Sequence, residues 1–245
     1  MKTIIANIKM NMKGDEFKDY LMKLLPRVNG KNQVIICPPF TYLSLAKFMM
    51  EGKPVELGAQ NLCDEEEGKC TGEVSGSMIK DCGANYVIVG HSERRAKFRE
   101  NGKSINKKIK IALKNGLKVI LCVGESQTDK NLGKTKEIIK TEIEEAFKGL
   151  YENELDNIVI AYEPVWAIGS GKTPTAKEIE GVVSYIRRVV CEDFSPKSEK
   201  IEILYGGSVD NKNCSSFAKI KGINGFLVGG ASLDADVFSQ IIKLV

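Results

Sequence analysis

The sequence predicts an α/β fold, a single-domain (β/α)8 barrel. Eight short runs dense in valine, isoleucine and leucine recur along the chain, with helix-patterned segments between them. Its 245 residues match the length of about 250 at which such a barrel closes as one domain. Alternating strands and helices imply a parallel sheet, because parallel neighbours need a crossover between them. No linker or compositional shift divides the chain, so residues 1–245 read as one domain.

The strand-like runs are Thr3–Lys9, Gln33–Cys37, Val55–Gln60, Tyr86–Gly90, Lys118–Val123, Ile158–Glu163, Ile201–Gly206 and Phe226–Gly229. Their near-continuous apolar character suits strands covered on both faces. After the first run, Asp15–Leu25 gathers Phe17, Tyr20, Leu21, Leu24 and Leu25 on one helical face. After the fifth, Leu132–Tyr151 repeats the pattern with Ile138, Ile139, Ile143, Ala146, Phe147 and Leu150. Ala176–Val190 follows Pro174, a residue suited to a helix start. The last helix is expected to begin near Asp234 and run to the C-terminus.

Composition narrows the function classes. The chain is 42% hydrophobic and 28% charged, with a net charge of +4. That is a mildly basic globular composition, and no basic run is interleaved with aromatics, so nucleic acid is not an expected partner. No apolar run is long enough to span a bilayer, and Asn7 and Lys9 interrupt the N-terminal apolar stretch short of a secretory signal core. No membrane partner is expected. Seven cysteines form no Cys-x-x-Cys pair and there is one histidine, so neither a zinc ribbon nor a His-rich metal site is expected. Reduced thiols in a cytoplasmic protein are the simplest reading. Cys37 and Cys122, inside apolar runs, read as small hydrophobes.

In such barrels the active site lies on the loops leaving the C-terminal ends of the strands. The polar residues that end the runs therefore belong together: Asn7 and Lys9, Gln60 and Asn61, His91 and Glu93, Glu125, Glu163, Ser208, and Gly229 with Gly230. Three late loops, Ala167–Gly171, Tyr205–Ser208 and Val228–Ala231, are rich in glycine. Glycine lets backbone N–H groups approach an anion, and loops after strands seven and eight are a common phosphate site in this architecture. Any one of them alone reads as a tight turn. Three after consecutive strands point to phosphate. Gly171-Lys172-Thr173 and Gly133-Lys134-Thr135 resemble the end of a P-loop, but Trp166 and Thr128 stand where its first glycine is needed. Nucleotide hydrolysis is not expected.

Glu163 ends a buried strand, where burial would raise its pKa and suit it to act as a general base. The segment from Pro164 to Pro174 has rigid ends and a middle of small residues around Trp166, which suits a lid. An ordinary loop with a salt-bridged glutamate is the alternative. Lys9 is expected to end strand one on the same face as Asn7. There it would meet an anionic ligand, Glu93, or both. His91 precedes a helix expected to start near Ser92, with Ser92 as its N-cap. The positive end of that helix would depress the imidazole pKa and leave a neutral hydrogen-bond donor. A single histidine taken alone is more often structural. Arg94 and Arg95 are expected in structural ion pairs. Asn, Lys, His and Glu around a phosphate pocket, without a metal or cofactor motif, point to proton transfer beside a carbonyl, which is isomerisation chemistry.

With these residues in place the chain resembles the triosephosphate isomerase family over essentially its full length. The resemblance rests on Asn7-Ile8-Lys9-Met10-Asn11, Cys37-Pro38-Pro39-Phe40, Gly58-Ala59-Gln60-Asn61, Thr71-Gly72-Glu73, Val89 to Arg95, Cys122-Val123-Gly124-Glu125, Ala161 to Gly169, Tyr205 to Val209 and Leu227 to Ser232. It implies cofactor-free interconversion of dihydroxyacetone phosphate and D-glyceraldehyde 3-phosphate, in glycolysis and gluconeogenesis. It implies Glu163 as base, His91 as neutral electrophile, and Lys9 and Asn7 as electrostatic and positioning groups. That division between glutamate and histidine is the family's known pattern. By the same resemblance Gly169, Ser208, Gly229 and Gly230 hold the phosphate, with Glu93 and Cys122 in support. A homodimer is implied, with Thr71 at the interface near the partner's active site. Ile8 departs from the family's usual aromatic residue, Lys69-Cys70 from a small residue and phenylalanine, and Ser126-Gln127-Thr128 from the usual threonine-leucine and acidic run. Another phosphate-binding barrel would share the glycine loops but leave the Asn-Lys, His and Glu-Pro-Val-Trp motifs unexplained. A binding or scaffold barrel would be expected to lack at least one catalytic group.

Overall fold

Among the described residues eight strands form a closed barrel, paired in chain order with β8 returning to β1. The structure is a computed structural model and describes residues 1–169 and 172–245. The strands are β1 (Thr3–Asn7), β2 (Gln33–Cys37), β3 (Glu56–Ala59), β4 (Tyr86–Val89), β5 (Lys118–Val123), β6 (Ile158–Tyr162), β7 (Glu202–Tyr205) and β8 (Gly225–Val228). Every pairing is parallel. Around them lie α1 (Gly14–Leu24), α2 (Leu43–Met50), α3 (Gly76–Asp81), α4 (Ser92–Phe98), α5 (Gly102–Lys114), α6 (Gln127–Asn131), α7 (Thr135–Phe147), α8 (Ala176–Asp193), α9 (Cys214–Phe217) and α10 (Ala235–Leu244). No helix among the described residues is long and apolar enough to cross a membrane.

The alternation of side chains along each strand sorts the interior into two layers. Ile5, Ile35, Ile88, Ile120, Ala161 and Leu204 belong to a cluster inside the barrel. Their chain neighbours, such as Ile4, Val87, Leu121 and Ile160, belong to a larger cluster beneath the helices. Each such buried isoleucine or leucine contributes about 1.5–3 kcal/mol relative to an exposed one. The same alternation places the functional groups. Asn7 follows Ile5, and Glu163 follows Ala161, each by one inward step, so both aim into the barrel at its C-terminal mouth.

Three expectations are corrected by the structure. Strand one ends at Asn7, not at Lys9. The Asn7 side chain accepts the Lys9 backbone N–H at 3.1 Å, and Lys9 takes a left-handed φ of 54°. An asparagine that hydrogen-bonds two residues ahead turns the chain and competes with the ladder. The helix expected over Leu132–Tyr151 is shorter and preceded by α6, because Gly133 adopts a φ of 69° between α6 and α7 and leaves Leu132 exposed. Finally, α4 is capped by His91 and not by Ser92.

Candidate active site

At the C-terminal mouth of the barrel a cavity of about 380 Å³ is lined by Asn7, Lys9, His91 and Glu163 on one side. Gly169, Ser208, Gly229 and Gly230 line the other. Eight residues singled out from the sequence thus meet in one place. Glu93 and Cys122 stand behind the cavity wall in contact with Lys9 and Glu163 respectively. Thr71 does not join them: it is exposed on the loop between β3 and α3.

Lys9 reaches the cavity through the turn made by Asn7, not through strand alternation. Its carbonyl accepts a hydrogen bond from Gln60 Nε2 at 2.9 Å, and the same nitrogen donates to Cys37 O at 2.8 Å. The ammonium meets Glu93 Oε1 at 2.7 Å, the pairing expected from the sequence. Charge balance therefore exists before any anionic ligand is considered, and the lysine stem is held against Gly229, whose α-carbon leaves room for it.

His91 lies one residue past the inward phase of β4. Gly90, at a φ of 71°, redirects the chain so that the ring enters the mouth. A non-glycine residue would resist that conformation. The residue is 5% exposed, and its Nδ1 accepts the Glu93 backbone N–H at 3.2 Å. An acceptor nitrogen carries no proton, so this contact assigns the ring proton to Nε2. That nitrogen faces Glu163 Oε1 at 3.1 Å. Glu163 Oε2 also accepts the Ser92 backbone N–H at 3.2 Å, from the first turn of α4.

Both pKa expectations reverse in this arrangement. Burial pushes the His91 pKa down, but the charge of Glu163 and the hydrogen bond to it outweigh burial, and the net shift is upward. Burial likewise pushes Glu163 up, yet His91, the Ser92 N–H and Lys9 together bring it below its ordinary value. The helix start acts on Glu163 directly, which the sequence did not disclose. The buried Cys122 thiol is raised, by burial first and by the neighbouring Glu163 carboxylate to which it hydrogen-bonds.

On the opposite wall, Ser208 Oγ donates to Ala167 O at 2.7 Å, joining the loop after β7 to the loop after β6. Of the glycine-rich loop Ala167–Gly171, Ser170 and Gly171 lie outside the described residues. The start of that loop is anchored by Glu125, whose carboxylate accepts Trp166 Nε1 at 2.8 Å and the Tyr162 hydroxyl at 3.2 Å. Burial, the largest influence on Glu125, raises its pKa. Glu125 was legible as a polar strand end, but its partners were not. Asn11, Asp210, Leu227 and Leu233 also line the cavity and were missed. Leu227 had a signal in the alternation of β8. The others depend on how loops fold back over the mouth.

The model of the triosephosphate isomerase family matches residues 2–245. The chain belongs to the triosephosphate isomerase family. It is 44% identical over 245 residues to a triosephosphate isomerase of Alkaliphilus oremlandii, covering 99% of each chain. It is 42% identical to that of Dictyoglomus thermophilum, covering 99% of this chain and 98% of the relative. The crystal structure of triosephosphate isomerase from Bartonella henselae superposes with a TM-score of 0.90 at 33% identity, covering 99% of this chain and 98% of that one. Against the triosephosphate isomerase pattern, Ile8 is wholly buried, so an aliphatic side chain fills the core beside Lys9. Lys69 is exposed and Cys70 half-buried.

Proposed function

We propose that this protein interconverts dihydroxyacetone phosphate and D-glyceraldehyde 3-phosphate through an enediol(ate), using its own side chains and no cofactor. The observation that carries this reading is the single cavity shared by Asn7, Lys9, His91 and Glu163 with Gly169, Ser208, Gly229 and Gly230. The phosphate is held by backbone groups of the glycine loops and by Ser208. The base and the electrophile hydrogen-bond to each other at 3.1 Å, so the reacting carbon and carbonyl insert between them.

Glu163 then removes the carbon-bound proton. The C–H electrons form the carbon–carbon double bond, and the carbonyl electrons move onto oxygen. The Nε2–H of His91 and the Lys9 ammonium stabilise that oxygen, and Asn7 positions it. His91 passes its Nε2 proton to that oxygen and takes the proton of the hydroxyl on the carbon that Glu163 deprotonated. Glu163 then returns its proton to the adjacent carbon as the second oxygen becomes the carbonyl. Glu93 and Cys122 support Lys9 and Glu163 from behind.

The protein acts as a cytoplasmic homodimer in glycolysis and gluconeogenesis, with Thr71 of each subunit at the interface. Met10, next to Lys9, is 95% exposed, which supports a partner covering that edge of the site. Free thiols at all seven cysteines accord with a reducing compartment. A coupled assay with D-glyceraldehyde 3-phosphate tests the activity, and sedimentation tests the dimer. Absence of turnover in folded protein removes the functional reading.

A further inference from the structure

We propose that Arg95 and Glu142, which do not line the cavity, are positioning residues for the isomerisation: together they set His91 and Glu163 in register. The claim rests on the function proposed above and adds two residues to it. The paired ladder between β4 and β5 ends at Val89 and Leu121. Beyond that point the guanidinium of Arg95 takes over. Its Nε donates to Gly90 O at 2.8 Å and its Nη2 to Cys122 O at 3.0 Å. Its Nη1 lies 3.3 Å from Glu142 Oε1, and Glu142 Oε2 accepts the Gly124 backbone N–H at 2.9 Å. One ion pair thus ties the ends of two strands to each other and to α7.

Both reacting groups hang from the tied segments. Gly90 directly precedes His91. The Cys122 thiol hydrogen-bonds to the Glu163 carboxylate. Gly124 presses on the Glu163 backbone so closely that a β-carbon there would stand 1.9 Å from the Glu163 carbonyl oxygen. A planar fork that reaches two carbonyls and a carboxylate at fixed angles is a task for arginine and not for lysine. A shift of the tied segments would alter the separation of base and electrophile, to which proton transfer is steeply sensitive.

The charged groups facing Glu142 are Arg95 from α4, Glu163 from the end of β6 and Glu145 on α7. Burial, opposed by Arg95 and the Gly124 N–H, pushes the Glu142 carboxyl up to about 6. Its charge is therefore present at pH 8 and lost toward pH 5.

The test compares wild type with Glu142→Gln, which keeps an acceptor for the Gly124 N–H and removes the charge and the oxygen that face Arg95. At pH 8 we expect kcat to fall about tenfold or more, with KM and competition by inorganic phosphate nearly unchanged. The wild-type to variant ratio of kcat should shrink toward one as pH falls to 5, because protonated wild type then resembles the variant. The substrate phosphate, with a pKa of about 6, titrates alike in both proteins and cancels from the ratio. The single histidine gives an independent readout: with ring nitrogens labelled, the signals of His91 should shift in the variant. Unchanged kcat at pH 8 in folded variant, a ratio flat across this range, or superimposable His91 signals would each overturn the proposal. If Glu142→Gln does not fold, Arg95→Lys is measured by kcat, KM and the His91 signals, with the same expected changes and the same overturning results for each. If wild type proves inactive, the functional reading fails by itself, and the His91 signals alone decide whether the pair positions the ring.

Discussion

The C-terminal mouth of the barrel encloses about 380 Å³ and a cavity at the N-terminal mouth about 350 Å³, yet the two are built from opposite chemistry. At the N-terminal end the polar groups answer one another across the strands. Thr3 Oγ1 meets Gln33 Oε1 at 3.0 Å and Glu202 Oε2 at 2.7 Å, and Gln33 Nε2 donates to Glu56 Oε1 at 2.7 Å and to the Tyr86 hydroxyl at 2.8 Å. These are residues in strand conformation, and the network closes the barrel floor. At the C-terminal end the polar groups sit beyond the strands, where Asn7 bends the chain and Gly90 takes a positive φ. There an ammonium, an imidazole and a carboxylate converge on one space. Cavity volume does not separate the two mouths. What separates them is irregular backbone that aims charged groups at a common point.

The largest expected effect breaks that contrast at Glu163. In Glu163→Gln, kcat should fall about a thousandfold or more in the coupled assay, since a general base alone accounts for about 10²–10⁴ and acts with its neighbours. Glu202→Gln, at the other mouth, should leave kcat within about twofold of wild type. A small loss at Glu163 would remove it as the base. His91→Gln comes next, with an expected loss of about a hundredfold in kcat, because an amide cannot match the donor geometry of Nε2. Unchanged turnover there would end the electrophile role. The lowered pKa of Glu163 also has a stability consequence. A carboxylate whose folded pKa lies below its unfolded value stabilises the fold above the unfolded pKa, and that share is lost as pH falls through the folded pKa. Denaturation of wild type and Glu163→Gln should therefore differ most above pH 4.5, its ordinary value, and converge below it.

How much of each mouth was legible in the sequence follows the same division. The barrel and the inward aim of Asn7 and Glu163 follow from short apolar runs and a period of two, both local properties. The reach of Lys9 was misplaced because it depends on one side chain bending the backbone, which a strand pattern does not encode. The pKa of His91 was reversed because its dominant upward influence, Glu163, lies on another strand. Arg95 was expected in a structural ion pair, and it makes one with Glu142, but the carbonyls of Gly90 and Cys122 that it also reaches, beyond β4 and on β5, could not be read along the chain. Residue types and phases are local and can be read along the chain. Charge states and the aim of loop residues are set by neighbours distant in sequence.

A smaller effect is expected on the glycine-rich wall of the cavity. A β-carbon at Gly229 would stand 3.2 Å from Lys9 Cε, tight enough that the lysine stem must give way. Gly229→Ala should lower kcat/KM about tenfold, through a higher KM and a displaced ammonium, with the fold intact. Unaltered KM and kcat in Gly229→Ala would mean that neither the phosphate nor Lys9 depends on close approach there.

The smallest expected effect on activity comes from the floor of the barrel. Thr3 is 3% exposed and spends its hydroxyl on Gln33 and Glu202, on the two strands β2 and β7. Thr3→Val keeps the shape and the β-branch but deletes the one hydroxyl proton that these two acceptors share. The two partners are part-buried, and leaving such groups unmatched costs about 1–3 kcal/mol. Chemical denaturation should register that loss, while kcat and KM stay within about twofold of wild type. A fall in kcat of the size expected for His91→Gln would show that the floor transmits strain to the mouth through the barrel core. In that case the two ends could no longer be treated as a support and a reaction site, and the positions of His91 and Glu163 would have to be explained by the whole length of their strands.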